Sequence, residues 1–220
     1  AFLLHDTYGF PLELTQEIAG ERGVVVDNAG FDAEMKAQRE RAKAGRKGNA
    51  TDEDRLDGYR EVVEQHGITE FVGYTDDSAS AQVVAVLPGG TLDDGTDTVE
   101  IFLDRTPFYA EAGGQVGDTG TIRTDGGVAR VVDTTFALPG LRRHTARIES
   151  GEILVGDAAT AGIDVARRDA IRRNHTGTHI LHHALRKVLG EHVKQAGSLV
   201  GPDRLRFDFS HYEAVTADEI

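Results

Sequence analysis

Two histidines four residues apart, His175 and His179, form the strongest chemical motif of the chain. Residues at i and i+4 lie on one face of a helix, so both imidazoles can reach a single metal ion. Neutral imidazole is a common zinc ligand, and the pair therefore predicts a metal site. The alternative is a pair of capping or polar-core histidines. His183 continues the same face, as a third ligand or a surface residue, whereas His182 points elsewhere.

A second motif is the glycine-rich run Thr106–Gly120, which contains Glu111-Ala-Gly-Gly-Gln115 and Gly117-Asp-Thr-Gly. Glycine lets a backbone approach a ligand or another chain closely. The alternative is a tight turn between two strands. The run does not end in Gly-Lys-Ser/Thr, so it is no phosphate loop, and a HExxH protease is disfavoured because Thr176 and Gly177 stand where the glutamate is needed.

Two further motifs are less specific on their own. Asp6–Pro11, with the sequence Asp-Thr-Tyr-Gly-Phe-Pro, predicts a turn entering a helix, since proline is favoured in the first turn. Gln195–Leu199, with the sequence Gln-Ala-Gly-Ser-Leu, offers an amide and a hydroxyl and is expected to be a polar loop.

Composition narrows the class of protein. The chain has 220 residues, 39% hydrophobic and 28% charged, which suits one sizeable core or two small ones. Its longest apolar runs, such as Val83–Leu87, fall far below the roughly 18 residues of a membrane span. It lacks cysteine, which excludes disulfides and a thiolate zinc site built from this chain alone. The chain begins with neither an initiator methionine nor a secretory signal, and it stops at an apparent helix start. We therefore expect it to be an internal piece of a longer protein.

The net charge of −13 opposes a simple nucleic-acid binder, although basic residues cluster twice. Each cluster is either a contact surface or a solvated helix face. The first comprises Arg39, Arg41, Lys43, Arg46 and Lys47, and the second comprises Arg167, Arg168, Arg172 and Arg173.

The pattern along the chain predicts an α+β protein in three sections. Helical patterns cover Thr15–Arg22, Phe31–Arg46 and Tyr59–His66, with a mobile linker at Gly45–Asp57. Short β-branched segments separated by glycine turns then predict an antiparallel barrel or sandwich: Gln82–Leu87, Thr98–Asp104, Gly120–Thr124, Ala129–Thr134, Arg142–Ile148 and a closing strand Ala158–Val165. A long helix, Ala166–Leu189, and a strand, Arg204–Ser210, follow.

The four motifs together resemble alanyl-tRNA synthetase, in the family's order and spacing and over nearly the whole chain. The resemblance implies three domains: the helical end of the tRNA-recognition domain (1–72), the β-barrel of the editing domain (73–165), and the start of a metal-binding editing subdomain (166–220). The family attaches alanine to tRNA with ATP and Mg²⁺ in a domain that precedes this segment. Its editing domain hydrolyses mischarged seryl- or glycyl-tRNA(Ala).

The resemblance also implies roles for individual residues. His175 and His179 match two zinc ligands, and the family's other ligands come from a downstream Cys-x-x-x-His, so the expected zinc site is half built here. Thr178, Gln195 and Ser198 match positions of the editing pocket, which fits a need to recognise the extra hydroxyl of serine. Asp6 matches an aspartate that recognises the acceptor stem.

The expected partners are therefore the tRNA(Ala) acceptor stem and its mischarged aminoacyl end, with no membrane partner and a cytoplasmic location. Two alternatives remain. A free-standing AlaX-type editing hydrolase would lack the Asp6–Pro11 motif and its helices, and a metal-free tRNA-binding module would use its histidines and glycines only for packing.

Overall fold

The computed structural model describes residues 12–28, 30–31 and 52–220. The chain divides into two compact units, 1–54 and 55–220. In the first, helix α1 spans Leu12–Glu21, close to the predicted helix. Most of the predicted helix Phe31–Arg46 lies outside the described residues.

Helix α2 spans Asp52–His66 and corrects the predicted linker Gly45–Asp57. The small, polar and charged composition of the segment favours a linker, but the structure places its last six residues, 52–57, in the helix. The rest of the predicted linker, 45–51, lies outside the described residues. Acidic residues are in fact favourable in the first turn of a helix, where they face its positive end. The helix is thus longer than the predicted Tyr59–His66.

Six antiparallel strands pair in the order β2-β3-β7-β6-β5-β8, and β8 pairs back onto β2, so each strand of this barrel has two neighbours. They are β2 (Ser78–Thr91), β3 (Asp97–Leu103), β5 (Gly120–Thr124), β6 (Gly127–Leu138), β7 (Leu141–Gly151) and β8 (Ala158–Ile163). Each contains or overlaps a predicted strand. Two short strands outside the barrel, β1 (Glu70–Phe71) and β4 (Arg105–Thr106), pair in parallel.

The strand period of two divides the apolar residues between two clusters. Ile101 and Leu103 of β3 belong to the first, which also includes Val83, Ile122 and Val131. Phe102, between them in sequence, belongs to the second cluster, where Tyr59 and Val62 of α2 cover it. One strand thus contributes side chains both to the barrel core and to the surface on which α2 packs.

A buried polar network fixes α2 on the barrel. The Tyr59 hydroxyl donates to Glu100 Oε2 at 2.6 Å, and Arg143 lies 3.4 Å from the other carboxylate oxygen of Glu100. Burial is the main cause that raises the pKa of Tyr59, and the hydrogen bond to Glu100 adds to it. Because its partners satisfy the buried carboxylate, the network specifies how this helix is placed.

His144 is fully buried in β7 and was not singled out from the sequence. Its Nδ1 lies 2.9 Å from the carbonyl oxygen of Ile101, which can only accept, so Nδ1 carries the proton. Its Nε2 then accepts from the Thr106 hydroxyl at 2.8 Å. Burial lowers the pKa of His144 to about 4, so the ring is neutral at physiological pH.

Helix α3 spans Val165–Leu189 and confirms the predicted long helix. Asp164 caps its start by accepting from the Arg167 amide at 3.0 Å, and Gly190 at φ 115° ends it. An antiparallel hairpin follows, with β9 (Lys194–Val200) paired to β10 (Leu205–Ser210). The predicted polar loop Gln195–Leu199 is therefore wrong, since strand pairing outweighs its small polar composition.

The predicted α+β class is confirmed: a helical segment, a six-stranded antiparallel barrel, and an α+β section opened by α3. The predicted domain limits at 72/73 and 165/166 stay a prediction. In the part of the chain that the structure describes, no helix is both long and apolar enough to cross a membrane.

Candidate metal and editing site

The two predicted metal-ligating histidines converge on α3. The Nε2 atoms of His175 and His179 lie 3.1 Å apart, and the rings are stacked with centroids at 5.0 Å. Two nitrogens at about 2.0 Å from a tetrahedral ion are separated by roughly 3.3 Å. The pair is therefore spaced as two neighbouring ligands of one zinc ion.

The glycine-rich run supplies a partner for the pair. Gln115 Oε1 lies 2.7 Å from Nδ1 of His175. The residue sits at the end of a tight turn in which the Gln115 and Ala112 backbones bond each other, with Gly113 at φ 60° and Gly114 at φ 83° between them. Two consecutive residues at positive φ favour glycine, and they let the chain reverse within this short turn.

This turn is docked on β9. The Val200 amide donates to the Gly114 carbonyl at 2.7 Å, and the Val116 amide donates to the Val200 carbonyl at 3.1 Å. A Cβ at Gly114 would lie 2.3 Å from the carbonyl oxygen of Ser198. The close approach therefore requires glycine, and it places the loop from the barrel next to one of the predicted pocket residues.

A bulge in β9 brings the other pocket residue to the same side. Ser198 pairs with Phe207 and Gln195 with Phe209, while Ala196 is left over between Gly197 and Gln195. Residues three apart on a regular strand face opposite sides. The extra residue cancels that, so Gln195 and Ser198 share one face of the hairpin.

That face is the one packed on α3. Phe207 contacts the ring of His182 with centroids at 5.0 Å, and a Cβ at Gly177 would lie 3.2 Å from Leu205 Cδ2. The Asn174 side-chain amide donates to the carbonyls of Gly201 and Pro202 at 2.7 and 3.2 Å, which fixes the hairpin turn on the helix. The histidines, Gln195 and Ser198 thus belong to one helix–hairpin assembly.

Thr178, the third predicted pocket residue, is buried in α3, 7% exposed. Its hydroxyl donates to the Asn174 carbonyl one turn earlier at 2.9 Å. It lies in the helix between His175 and His179. In this arrangement its hydroxyl is engaged with the helix backbone, and its oxygen remains free to accept a further bond.

The spacing of the nitrogen pair would suit two of the four ligands of a tetrahedral zinc ion. Among the residues with described positions, no three histidine or acidic side chains are grouped to hold a metal. His183 is accordingly not placed with the pair as a third ligand. The ring of His182 contacts Phe207, with centroids 5.0 Å apart.

A buried ion pair supports the site from the barrel side. Arg168 of α3 is 5% exposed and Asp118 of the glycine-rich run 2% exposed at their side chains. Arg168 also donates to the carbonyls of Gly73 and Pro107 at 3.0 and 2.9 Å. The solvated-face interpretation of the basic cluster is therefore wrong for Arg168, whose arginine fork satisfies several acceptors at once.

Asp6 and the first basic cluster, with Arg39 as its first member, lie outside the described residues, so the structure gives no account of them. Sequence reasoning missed Gln115, although it stands in the run that was singled out for its glycines. Its partner is 60 residues away in the chain. A hydrogen-bonding side chain beside two glycines was the only signal available.

The family model of the class II tRNA synthetases (A) matches residues 1–167. The chain belongs to that family. The match covers the helical segment and the whole barrel and ends in the first turn of α3.

Among the curated relatives are alanine–tRNA ligases. The chain is 50% identical over 224 residues to that of Cereibacter sphaeroides and 48% identical over 225 residues to that of a Ruegeria species. It is 49% identical over 223 residues to that of Chloroflexus aurantiacus. All of this chain is covered, but it spans only about a quarter of their length: 25%, 25% and 24%. The predicted resemblance to alanyl-tRNA synthetase is confirmed.

Proposed function

We propose that the chain is the editing part of an alanine–tRNA ligase, which hydrolyses mischarged seryl- or glycyl-tRNA(Ala). The observation that carries the proposal is the His175–His179 pair, whose Nε2 atoms lie 3.1 Å apart beside the hairpin that bears Gln195 and Ser198. The relatives are alanine–tRNA ligases by name. Attachment of alanine with ATP and Mg²⁺ is assigned to other parts of such a ligase.

Discrimination is assigned to the polar side chains of the helix–hairpin assembly. Serine differs from alanine by a hydroxyl, and a site built to hydrogen-bond that group rejects the analogue that lacks it, because the site's own polar groups are then left unpaired. The Gln195 amide and the hydroxyls of Ser198 and Thr178 offer both donors and acceptors.

Zinc is the proposed cofactor, with His175 and His179 as two of its ligands. When bound, zinc supplies a Lewis acid that orients the ester or activates water. The histidines hold the ion through Nε2, and Gln115 accepts from Nδ1 of His175. Because the described residues bring two nitrogens together rather than four ligands, we expect this chain to bind zinc weakly and to edit poorly alone.

The acceptor stem of tRNA(Ala) is the proposed nucleic-acid partner, with Asp6 as a contact and the cytoplasm as the location. Because the net charge of −13 opposes general attraction to phosphate, we do not expect that attraction to carry recognition by itself. Specific contacts must do so, which suits an enzyme that handles one tRNA among many.

The decisive experiment is deacylation of seryl-tRNA(Ala) by the full-length protein and by this chain, with and without zinc. Zinc-dependent hydrolysis by the full-length protein, strongly reduced in the isolated chain, is the expected result. The Gln195→Leu variant of the full-length protein should let seryl-tRNA persist, while a matched Gln65→Leu variant on the surface of α2 should not. If the full-length protein leaves seryl-tRNA intact, the proposal fails and a non-catalytic tRNA-binding module takes its place.

A further inference from the structure

We infer that Gln115 is the positioning residue that selects the metal-binding form of His175. The inference rests on the proposed zinc site. It concerns a residue of the glycine-rich loop that touches the histidine rather than the metal, and it gives that loop a chemical task in addition to its structural one.

The first step of the argument is the direction of the hydrogen bond. Gln115 Oε1 and Nδ1 of His175 are 2.7 Å apart, and an amide oxygen can only accept. Nδ1 must therefore carry the proton. A neutral imidazole has one N–H, so Nε2 of His175 keeps its lone pair, and that is the atom directed at Nε2 of His179, 3.1 Å away.

The second step is the rigidity of the acceptor. The Gln115 backbone closes a turn with Ala112 through hydrogen bonds of 3.0 and 3.2 Å. The same turn is bonded to β9 through Gly114 and Val200 at 2.7 Å. The side chain thus extends from a backbone held on both sides, and its oxygen is presented to the histidine at low conformational cost.

The third step concerns the orientation of the His175 ring, which Gln115 restricts. It is exposed on α3, where solvent would otherwise allow either tautomer and several ring orientations. Metal-ligating histidines are commonly fixed by an acceptor on the second ring nitrogen, and loss of that acceptor typically weakens metal binding by about 10–100-fold. The glycine-rich turn provides such an acceptor here.

The test is zinc affinity of the full-length protein, measured by competition with a chromophoric chelator. Gln115→Leu should weaken zinc binding by about 10–100-fold. Gln115→Glu should bind zinc with an affinity close to that of the unmodified protein, because a carboxylate also accepts from Nδ1–H. Gln65→Leu, an exposed glutamine far along the chain on α2, is the matched control and should change nothing.

Each outcome decides a different point. Equal affinity in Gln115→Leu and the unmodified protein overturns the inference but leaves the zinc site standing. Equal weakening in Gln115→Leu and Gln115→Glu also overturns it, because the effect is then one of loop structure. An unmodified protein that binds no zinc overturns the metal part of the proposed function, and this inference with it.

Discussion

The guanidinium of Arg168 and the carboxylate of Asp118 form a forked ion pair that ties the first turns of α3 to the glycine-rich loop. Arg168 Nε lies 2.8 and 2.9 Å from the two carboxylate oxygens. The Tyr109 amide donates to the same carboxylate at 2.7 Å. The pair therefore bonds the start of α3 to the same loop that bears Gln115.

Arg168→Met is expected to destabilise the 55–220 unit by about 3–5 kcal/mol, because Asp118 is left buried without its partner. Urea unfolding of the chain measures this. Arg172→Met, which removes an exposed ion pair to Asp169, should change stability by no more than about 1 kcal/mol. Similar losses in the two variants would show that the buried pair has no special weight.

Stability should fall with acid because of His144. Burial lowers its folded pKa to about 4 from an ordinary value of 6.5, so below about pH 6.5 the unfolded chain takes up the proton before the folded one. The contribution of neutral His144 to the free energy of unfolding is complete above pH 6.5. It is lost as the pH falls toward 4, by up to about 3 kcal/mol.

The matched variant for that prediction is His144→Gln, whose amide can still donate to the Ile101 carbonyl and accept from Thr106. It should be less stable at pH 7 but show a shallower loss between pH 6.5 and 4, measured as the urea midpoint against pH. A parallel pH dependence in both proteins would remove His144 as its source.

Tyr59→Phe keeps the ring that packs on Phe102 and removes the hydroxyl that binds Glu100. The expected loss is about 2 kcal/mol, since the bond is made to a buried charged group. Thermal unfolding is the measurement. Tyr74→Phe, at a position 84% exposed, is the control and should leave the transition unchanged; an equal shift at both positions would contradict the role given to the network.

Two neighbouring glycines should differ when replaced by alanine. Both have positive φ, which costs an alanine about 1–2 kcal/mol. A Cβ at Gly113 meets nothing within 4 Å, whereas one at Gly114 would lie 2.3 Å from the Ser198 carbonyl oxygen. Gly114→Ala should therefore also displace the turn and lower seryl-tRNA hydrolysis by the full-length protein, and equal activity in the two variants would contradict this.

Much of the fold was predictable from local pattern. The barrel strands are β-branched segments bounded by glycine turns, and the apolar residues of α3 have helical spacing, so the six barrel strands and the histidine pair both followed from the sequence. Two residues four apart lie side by side as soon as the helix forms, so their proximity needs no contact distant in sequence.

The remaining parts of the site depend on contacts distant in sequence. Gln195 and Ser198 share a face only because Ala196 is bulged out in the pairing with β10. The sequence of that segment has no alternation of polar and apolar residues that would predict a strand. Gln115 meets His175 across 60 residues, and Arg168 meets Asp118 across 50. Sequence spacing fixes neither distance, since both depend on how the barrel and α3 pack.

The docking of the glycine turn on β9 also has a dynamic consequence. Two backbone hydrogen bonds hold the turn on β9, one from Val200 to Gly114 and one from Val116 to Val200. Neighbouring barrel strands such as β6 and β7 are paired over many more residues. A local opening that breaks those bonds separates Gln115 from His175 and leaves the barrel folded. In hydrogen exchange the Val200 and Val116 amide protons should therefore exchange together, earlier than those of β6 and β7, and zinc should slow both.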